Sequence, residues 1–341
     1  MAIKAGKFIF GIFIVVVAIA IGYVFLSSHK RSADVQPYSG PVEKISIGTV
    51  ADSSALVLLA QDRGYFADNG LKADLVSYGL GMSGLNDLAG GKLDAVVASD
   101  FAGVRSIFRG DRVKIIASIA KANAYEIVAR KDHGIEVPGD LKGKKIGITK
   151  GSAGEFWLGI FLTYNELLAR DVIVVDLAVG ELTPAILSGQ IDAVLNLEPY
   201  MYNAKQGLGD NAVSWRGQSG QGAYSLLYVA GDLAKNRVAV IDRLIRTLIQ
   251  AESFMNANQR DALNFIARHF EHDDAYMQSV VMPKYTFGVS LEQALLLVME
   301  DEARWMIERK LTNASTVPNY LDFMYLESLA GAKPDAVTVI R

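Results

Sequence analysis

The chain of 341 residues has no cysteine, only four histidines and only eight prolines. The absence of cysteine excludes disulfide bonds, thiolate metal sites, cysteine nucleophiles and a lipidated N-terminal cysteine. The scarcity of histidine leaves little for acid–base catalysis. The formal net charge is −3, and no basic cluster stands out, which argues against nucleic acid as a partner. We therefore expect neither an obvious enzyme nor a nucleic-acid-binding protein.

Apolar residues are plentiful, at 51% of the chain, and the length predicts about two domains of ordinary size. Residues 8–26 form an uninterrupted run of 19 uncharged, mostly apolar residues. As a helix this run spans about 28 Å, close to the thickness of a bilayer core. Basic residues flank it on both sides, and no A-x-A-like cleavage site follows. We expect an uncleaved membrane anchor over 1–34 and a linker over 35–44, with a cleaved signal peptide as the alternative.

Strand-like and helix-like segments alternate in two series, which predicts an α/β fold with mostly parallel sheets covered by helices. Beyond residue 230 the pattern is nearly all helical, and the glycine-rich stretch 207–222 predicts a long loop. Ser290 with Gln293 resembles a capping box that opens a helix. The predicted strands are 45–50, 73–78, 94–98, 113–119, 125–130, 145–149, 172–176 and 192–196. The main predicted helices are 54–63, 82–90, 101–108, 153–169, 181–188 and 238–257.

The two series contain a matching segment. Residues 88–97 (LAGGKLDAVV) and 186–195 (ILSGQIDAVL) align without a gap, so that their central glycines and aspartates coincide. Each reads as a helix closed by glycine and followed by a buried strand, a pattern that is also common in unrelated α/β proteins. Continuing the alignment pairs Asp100 with Glu198, just past the carboxyl end of a strand. Open α/β sheets bind ligands at that edge.

Several motifs admit a chemical reading beside a plainer one. Gly79–Gly84 matches G-x-G-x-x-G, but a tight turn before a helix explains it without a dinucleotide. Ser152 is suited to cap a helix whose amides could receive a ligand oxygen. His269 and His272 stand at i, i+3 beside aspartates, yet a solvated helix end is the simpler reading. No hydrolase motif occurs, so we expect no catalytic residues, no metal site and no cofactor.

A set of short motifs in a fixed order resembles the nitrate/sulfonate/taurine-type substrate-binding proteins of ABC importers. The set covers about residues 43 to 260, and each motif alone is weakly specific. The motifs are 58–66 (LLAQDRGYF), 70–71 (GL), 91–95 (GKLDA), 140–147 (DLKGKKIG), 151–152 (GS), 188–194 (SGQIDAV) and 198–200 (EPY).

The resemblance implies a two-lobe, periplasmic-binding-protein-like fold of type II that closes by a hinge on a small solute. It places lobe 1 at 45–130, lobe 2 at 131–228, and a return to lobe 1 with C-terminal helices at 229–341. The crossings between lobes would fall near 130–131 and 227–230. The implied partners are a small polar solute and the permease and ATPase subunits of an importer. The implied location is the periplasmic or extracellular face of the cytoplasmic membrane, with residues 8–26 in that membrane.

The resemblance also implies which residues bind the solute, because family members bind it through loops at strand ends. These residues are Ser53, Ser54, Gly81, Met82, Ser83, Ser99, Asp100, Asn123, Ser152, Glu198 and Pro199. Two places depart from the family pattern: Leu197 stands where tryptophan is frequent, and Ser99-Asp100-Phe101 stands where glycine or proline is frequent near residue 100.

Acidic residues outnumber basic ones near the predicted cleft. Asp52, Asp100, Glu155 and Glu198 could approach it, whereas the nearby cations are Lys150 and Lys121. This balance predicts a ligand with a cationic or hydrogen-donating part, such as an amine or a pyrimidine-like heterocycle.

Two other functions fit the same fold. One is a membrane-tethered sensor or accessory subunit that binds a solute and passes the signal to a partner. The other is an enzyme like the pyrimidine-precursor synthase of thiamine biosynthesis, which relies on a cysteine-rich segment and a histidine. The absence of cysteine from this chain argues against the synthase.

Overall fold

The computed structural model describes residues 38–218 and 220–340. Residues Gly40–Arg341 form one unit, and it contains two β-sheets with helices packed on them. The predicted membrane segment 8–26 and the rest of the predicted anchor, 1–34, lie outside the described residues. Within the described part of the chain, no helix has both the length and the apolar character needed to cross a bilayer.

The strands follow the predicted order closely. They are β1 (Glu43–Thr49), β2 (Leu71–Ser77), β3 (Ala95–Ser99), β4 (Val113–Ala122), β5 (Tyr125–Arg130), β6 (Lys145–Ile148), β7 (Ile173–Asp176), β8 (Ala193–Leu197), β9 (Ala212–Arg216), β10 (Ala223–Ala230) and β11 (Tyr285–Ser290).

The helices lie between these strands and dominate the last third of the chain. They are α1 (Ala55–Asp62), α2 (Tyr65–Asp68), α3 (Gly81–Ala89), α4 (Asp100–Phe108), α5 (Ala153–Tyr164), α6 (Leu182–Ser188), α7 (Tyr200–Leu208), α8 (Gly231–Asn236), α9 (Val238–Ala257), α10 (Gln259–His269), α11 (Asp274–Tyr276), α12 (Met282–Lys284), α13 (Gln293–Glu308) and α14 (Glu327–Ala332). A π-helical segment, Met277–Val281, joins α11 to α12.

The two sheets are mixed rather than mostly parallel. The first has the order β11-β4-β10-β3-β1-β2, in which β1 pairs parallel with β2 and β3 while β10 pairs antiparallel with β3 and β4. The second has the order β7-β6-β8-β5-β9, in which β6 is parallel to its neighbours and β5 is antiparallel to its own. The expectation of mostly parallel sheets was wrong. The strands that follow the two crossings between the lobes, β5 and β10, each run antiparallel to both of their neighbours.

The first crossing between the lobes comes earlier than predicted. Strand β5, Tyr125–Arg130, pairs with β8 and β9 of the second sheet, so the chain crosses at residues 123–124 and not at 130–131. The crossing near 130–131 was taken from the family resemblance, whereas only two residues, 123–124, separate β4 from β5. These two residues carry the chain from one sheet to the other.

The return crossing also comes earlier than predicted. The whole of β10 pairs with β3 and β4 in the first sheet, so the chain returns between residues 217 and 222, before the predicted 227–230. The expected loop 207–222 contains β9, an edge strand paired with β5. Val213 and Trp215 alternate with more exposed neighbours along it, which is the period of a half-buried strand. The glycines on either side obscured this short pattern.

The matching segments do equivalent structural work in the two lobes. Gly91 and Gly189 have φ of 73° and 78°, the left-handed conformation in which helices commonly end. Asp94 accepts a hydrogen bond from a backbone amide of β1 at 2.9 Å, and Asp192 accepts one from a backbone amide of β6 at 2.7 Å. Each aspartate therefore links the turn before a central strand to the neighbouring strand.

The C-terminal helices pack on the first lobe. Helix α9 buries Ile241, Leu244, Ile245 and Leu248 and contacts α1, β4 and β11, whereas Val238 of the predicted stripe is exposed. Helix α13 begins at Gln293 without a side-chain cap, since Ser290 ends β11 instead. The predicted capping box is therefore wrong, although the helix itself is present.

Candidate functional site

A cavity of about 250 Å³ lies between the two lobes, at the carboxyl ends of β1, β3, β6 and β8. Both matching units contribute to it, because each sheet presents the loops that follow its central strands at this edge. This is the position at which open α/β sheets bind ligands. The cavity is enclosed on both sides by protein, and most of its wall is apolar.

Most of the residues predicted to bind a solute meet at this cavity. The predicted residues that line it are Ser53, Gly81, Met82, Ser83, Ser99, Ser152, Glu198 and Pro199. Their placement leaves their role in binding a prediction.

Helix N-termini point their positive ends at the cavity. The hydroxyl of Ser99 caps α4 by accepting from the amide of Ala102 at 3.2 Å, and Ser152 caps α5 by accepting from the amide of Gly154 at 3.1 Å. The first turn of α3, at Gly81, also reaches the wall and has no side-chain cap. Converging helix N-termini favour an anion or a hydrogen-bond acceptor.

Three predicted residues do not line this cavity. Ser54 is fully buried, and its hydroxyl bonds to the amide and carbonyl of Val50. Asn123 lies at the first crossing and lines a different cavity with Trp215. Asp100 is buried behind the wall, where a carboxylate at the start of α4 accepts backbone hydrogen bonds instead of contacting solvent.

The acids that suggested a cationic ligand already have partners inside the protein. Asp52 accepts a hydrogen bond from Tyr276 Oη at 2.9 Å, and its other carboxylate oxygen lies 2.8 Å from His272 Nε2. Glu155 accepts a hydrogen bond from the amide of Gly151 at 2.8 Å. The expectation of an amine or amine-like ligand therefore loses its basis, because it assumed carboxylates free to receive one.

Glu198 lines the cavity but is held by a network that joins the two lobes. Its Oε1 atom lies 2.6 Å from Lys284 Nζ, and its Oε2 atom accepts from the amide of Tyr202 at 2.7 Å. Lys284 also contacts Glu126, which Lys205 approaches to 2.6 Å. Burial opposes the charge of Lys284, but its hydrogen bonds to the two glutamates outweigh this and raise its pKa. Lys284 thus neutralises Glu198 within the protein.

Cationic and donor groups complete the wall, and sequence reasoning had named one of them, Lys150, as a cation near the cleft. Arg105, Lys150 and Asn196 all line the cavity. The predicted counter-charge Lys121 lies elsewhere, 4.8 Å above the ring of Tyr224. The sequence carried a signal for Arg105, because it follows the wall residue Phe101 by one helical turn.

Arg105 crosses the cleft. It projects from α4 of the first lobe and donates to the carbonyl of Gly151 in the second lobe. Burial lowers the pKa of its guanidinium, and the carboxylate of Glu155 partly opposes that effect. A guanidinium has five donors, so the bond to Gly151 leaves others for a ligand.

Asn196 presents an unused donor. Its Oδ1 atom accepts from the amide of Leu197 at 2.8 Å, which fixes the side-chain amide. Its Nδ2 atom is buried and has no hydrogen-bond partner among the described residues. A buried donor left unpaired is costly, so a ligand acceptor in the cavity would satisfy it.

Aromatic contacts also hold the lobes together beside the cavity. Phe156 of α5 lies 6.0 Å from Phe101 and 5.5 Å from Trp305, measured between ring centroids. On another side, Tyr202 of α7 contacts Tyr276 at 5.3 Å. The described structure is therefore one in which the cleft is closed.

Two lobes of mixed α/β sheet, joined by two crossings and closed over a cavity at their strand ends, define the periplasmic-binding-protein fold. The alkanesulfonate-binding protein SsuA from Xanthomonas axonopodis pv. citri, solved bound to MOPS, has this fold, with a TM-score of 0.72 and 18% identity over 84% of this chain and 100% of that one.

The family known as NMT1/THI5 like matches residues 52–262, and the chain belongs to that family. A candidate binding protein of Brucella abortus (strain 2308) is 23% identical over 240 residues, which cover 69% of this chain and 74% of the relative. A candidate aliphatic sulfonates-binding protein of Bacillus subtilis (strain 168) is 30% identical over 171 residues, which cover 47% and 49%. The resemblance inferred from the sequence motifs is confirmed.

Proposed function

We propose that this chain is the extracytoplasmic solute-binding component of an ABC-type importer, and that its lobes close on a small organic anion with an apolar body. The cavity between the lobes carries this proposal. Arg105, Lys150 and the unpaired amide of Asn196 line it, while Glu198 is neutralised by Lys284. A sulfonate or carboxylate head group matches such donors, and the apolar wall suits a short alkyl chain.

The names of relatives support the same ligand class. One structural neighbour binds alkanesulfonates, and one sequence relative is a candidate aliphatic sulfonates-binding protein. The anionic ligand proposed here replaces the amine or heterocycle that the sequence favoured.

The proposal includes delivery of the solute to a permease, and it includes that the protein binds the solute without catalysing a reaction. A permease gene and an ATPase gene beside this one would favour import, whereas a neighbouring kinase or cyclase gene would favour a sensor. We also propose that residues 8–26 anchor the protein on the outer face of the cytoplasmic membrane.

Thermal unfolding with a matched set of ligands tests the ligand class. The three tryptophans report unfolding of the full chain by intrinsic fluorescence. We expect 1-butanesulfonate or butyrate to raise the melting temperature and butylamine to leave it unchanged. A ligand at about 100 times its dissociation constant stabilises by about 2.7 kcal/mol, which is easily measured. Stabilisation by butylamine alone would contradict the proposal.

Substitution of Asn196 by aspartate tests the site. The change keeps the side-chain shape and the acceptor for Leu197, but it replaces the donor at Nδ2 with a carboxylate oxygen that repels an anion. We expect affinity for the stabilising anion to fall by more than about tenfold, which corresponds to about 1.4 kcal/mol. Asn211→Asp, the same change at an exposed position, is the control. Equal binding by both variants would show that Asn196 does not contact the ligand.

A further inference from the structure

Two buried carboxyl groups meet behind the cavity wall. Asp100 at the start of α4 is 1% exposed, and Glu302 in α13 is 0% exposed. Asp100 accepts hydrogen bonds from the amides of Phe101 at 2.9 Å and Tyr224 at 2.8 Å. No donor among the described residues reaches either carboxylate oxygen of Glu302; α13 packs against α4, and besides burial a hydrogen bond to the side chain of Asp100 favours the protonated form of Glu302 and so raises its pKa. That contact requires a proton on one of the two groups.

The pair holds this proton because no cation in the described part of the chain forms an ion pair with it. Two carboxylates in contact without a cation cannot both ionise readily, and neither has an ion-pair partner in the described ranges 38–218 and 220–340. Burial, followed by the charge of Asp100, holds the pKa of Glu302 well above its usual range. Burial raises the pKa of Asp100 to about 6, against the lowering effect of its backbone hydrogen bonds. The pair titrates as a unit.

The other groups that face the pair are neutral phenols and one carboxylate. Tyr125 comes from β5, Tyr228 from β10, Tyr320 from the short helix Tyr320–Phe323, and Asp301 precedes Glu302 in α13. None of these four groups is a cation, so none of them offsets the charge of the pair.

The cavity is one of those surroundings. Ser99, Phe101, Ala102 and Ser225 line it and are sequence neighbours of the residues that hold Asp100 in place. Tyr125 also lines it, and burial together with the charges of Asp100 and Glu302 raises the pKa of its phenol. An anion in the cavity would thus lie near an ionised Asp100 at the same helix N-terminus.

We propose that Asp100 and Glu302 form a proton-binding site that controls the affinity of the cavity for anions, and that the pair takes up a second proton when an anion binds. Protonation removes the like charge behind the wall and frees the positive end of α4 to act on the ligand. This inference rests on the proposed function, because it needs an anionic ligand. Affinity then rises as the pH falls through the range in which Asp100 titrates, by up to about tenfold per pH unit for one proton.

Calorimetry on the full chain with 1-butanesulfonate tests the coupling, since this head group stays ionised throughout the pH range used. Titrations at about pH 6.5 in buffers of different ionisation enthalpy count the protons exchanged. We expect a net uptake of part of one proton in the native chain, and an affinity that is several-fold lower at about pH 8 than at about pH 6. Zero uptake with an affinity that does not change with pH overturns the proposal.

Glu302→Gln identifies the proton site. The amide keeps the shape and donates permanently to Asp100, which then stays ionised to lower pH, so we expect the uptake at about pH 6.5 to disappear. Asp100→Asn, which retains an acceptor for the amide of Tyr224, gives a second route to the same loss. Glu308→Gln, an exposed position on the same helix, should behave as the native chain. Unchanged uptake in both buried variants overturns the proposal.

A ligand-free measurement separates failure of the pair from failure of the ligand class. A carboxyl group with a raised folded-state pKa stabilises the fold at low pH, and that contribution is lost as the pH rises through the folded pKa. We expect the melting temperature of the native chain to fall more between about pH 5 and about pH 8 than that of Glu302→Gln. If the melting temperatures of the native chain and of Glu302→Gln change equally with pH, the proposed proton-binding site is overturned. Failure of both 1-butanesulfonate and butyrate to bind at any pH overturns the proposed function and the coupling, while a difference between the two melting curves still identifies the shared proton.

Discussion

Replacing Lys284 should lower the free energy of unfolding strongly, because Lys284 neutralises a fully buried charge. The side chain of Glu198 is 0% exposed and lies 2.6 Å from Lys284 Nζ. Removing one partner of a buried pair leaves an unpaired charge, which costs on the order of 3–5 kcal/mol. Lys205 Nζ is 3.9 Å from the same oxygen, so we expect Lys284→Met to fall at the lower end. Urea denaturation measures this loss.

Two further variants isolate the cause of that loss. Lys284→Met combined with Glu198→Gln removes both charges and should regain part of the stability. Lys235→Met, at an exposed position of α8, should change the free energy of unfolding by less than about 1 kcal/mol. If Lys284→Met were equally mild, the network would not hold the lobes together.

Sequence reasoning found the residues at strand ends but not their partners. The serines at positions 53, 83, 99 and 152 are on the wall because polar residues after a strand are local features. The interactions that hold the carboxyl groups of Asp100 and Glu198 come from residues distant in the chain, namely Tyr224, Glu302 and Lys284. Hydrophobic period and turn residues carry no information on such pairings. The expectation of a cationic ligand rested on carboxylates that these pairings occupy, although most of the predicted residues lie on the wall.

At the scale of elements, strongly periodic segments were predictable and short connections were not. The long helix α9 was predicted with the bounds 238–257 that the structure has. Strand β9 and the placement of β5 were missed because pairing with a distant strand, rather than local pattern, decides which sheet a short strand joins. The predicted helix 153–169 stops at Tyr164 because the backbone at Glu166 turns to a φ of 55°.

A single methyl group on helix α5 would disturb a close contact between the lobes. A Cβ atom on Gly159 would lie 2.8 Å from Trp305 Nε1, on a rigid ring of the first lobe. Alanine in a helix is favoured over glycine by about 1 kcal/mol, so Gly159→Ala should not weaken α5 itself. We expect the variant to separate the lobes, seen as a larger radius of gyration by small-angle X-ray scattering.

A second helical glycine supplies the control for this change. Gly207 in α7 would also bring its Cβ to 2.6 Å from a neighbour, but that neighbour is the flexible end of Leu187 within the same lobe. Gly207→Ala should leave the radius of gyration unchanged. An unchanged radius for Gly159→Ala as well would show that the contact with Trp305 does not set the closure.

For the whole molecule, the two-lobe architecture follows from the motif order, and the location depends on a segment outside the described residues. Residues 8–26 are uncharged and mostly apolar, and apolar side chains favour insertion into a bilayer when the segment adopts a helix that satisfies its own backbone hydrogen bonds. If the segment is retained as an anchor, the full chain should stay with the membrane fraction after alkaline carbonate washing. A chain that begins at residue 35 should appear in the soluble fraction.

Replacing Val16 and Ile19 by lysine puts two charges near the bilayer centre at a cost of about 3 kcal/mol each, and should release the full-length chain. Recovery of the native chain as a soluble protein shortened by about its first 30 residues would instead identify the segment as a cleaved signal peptide.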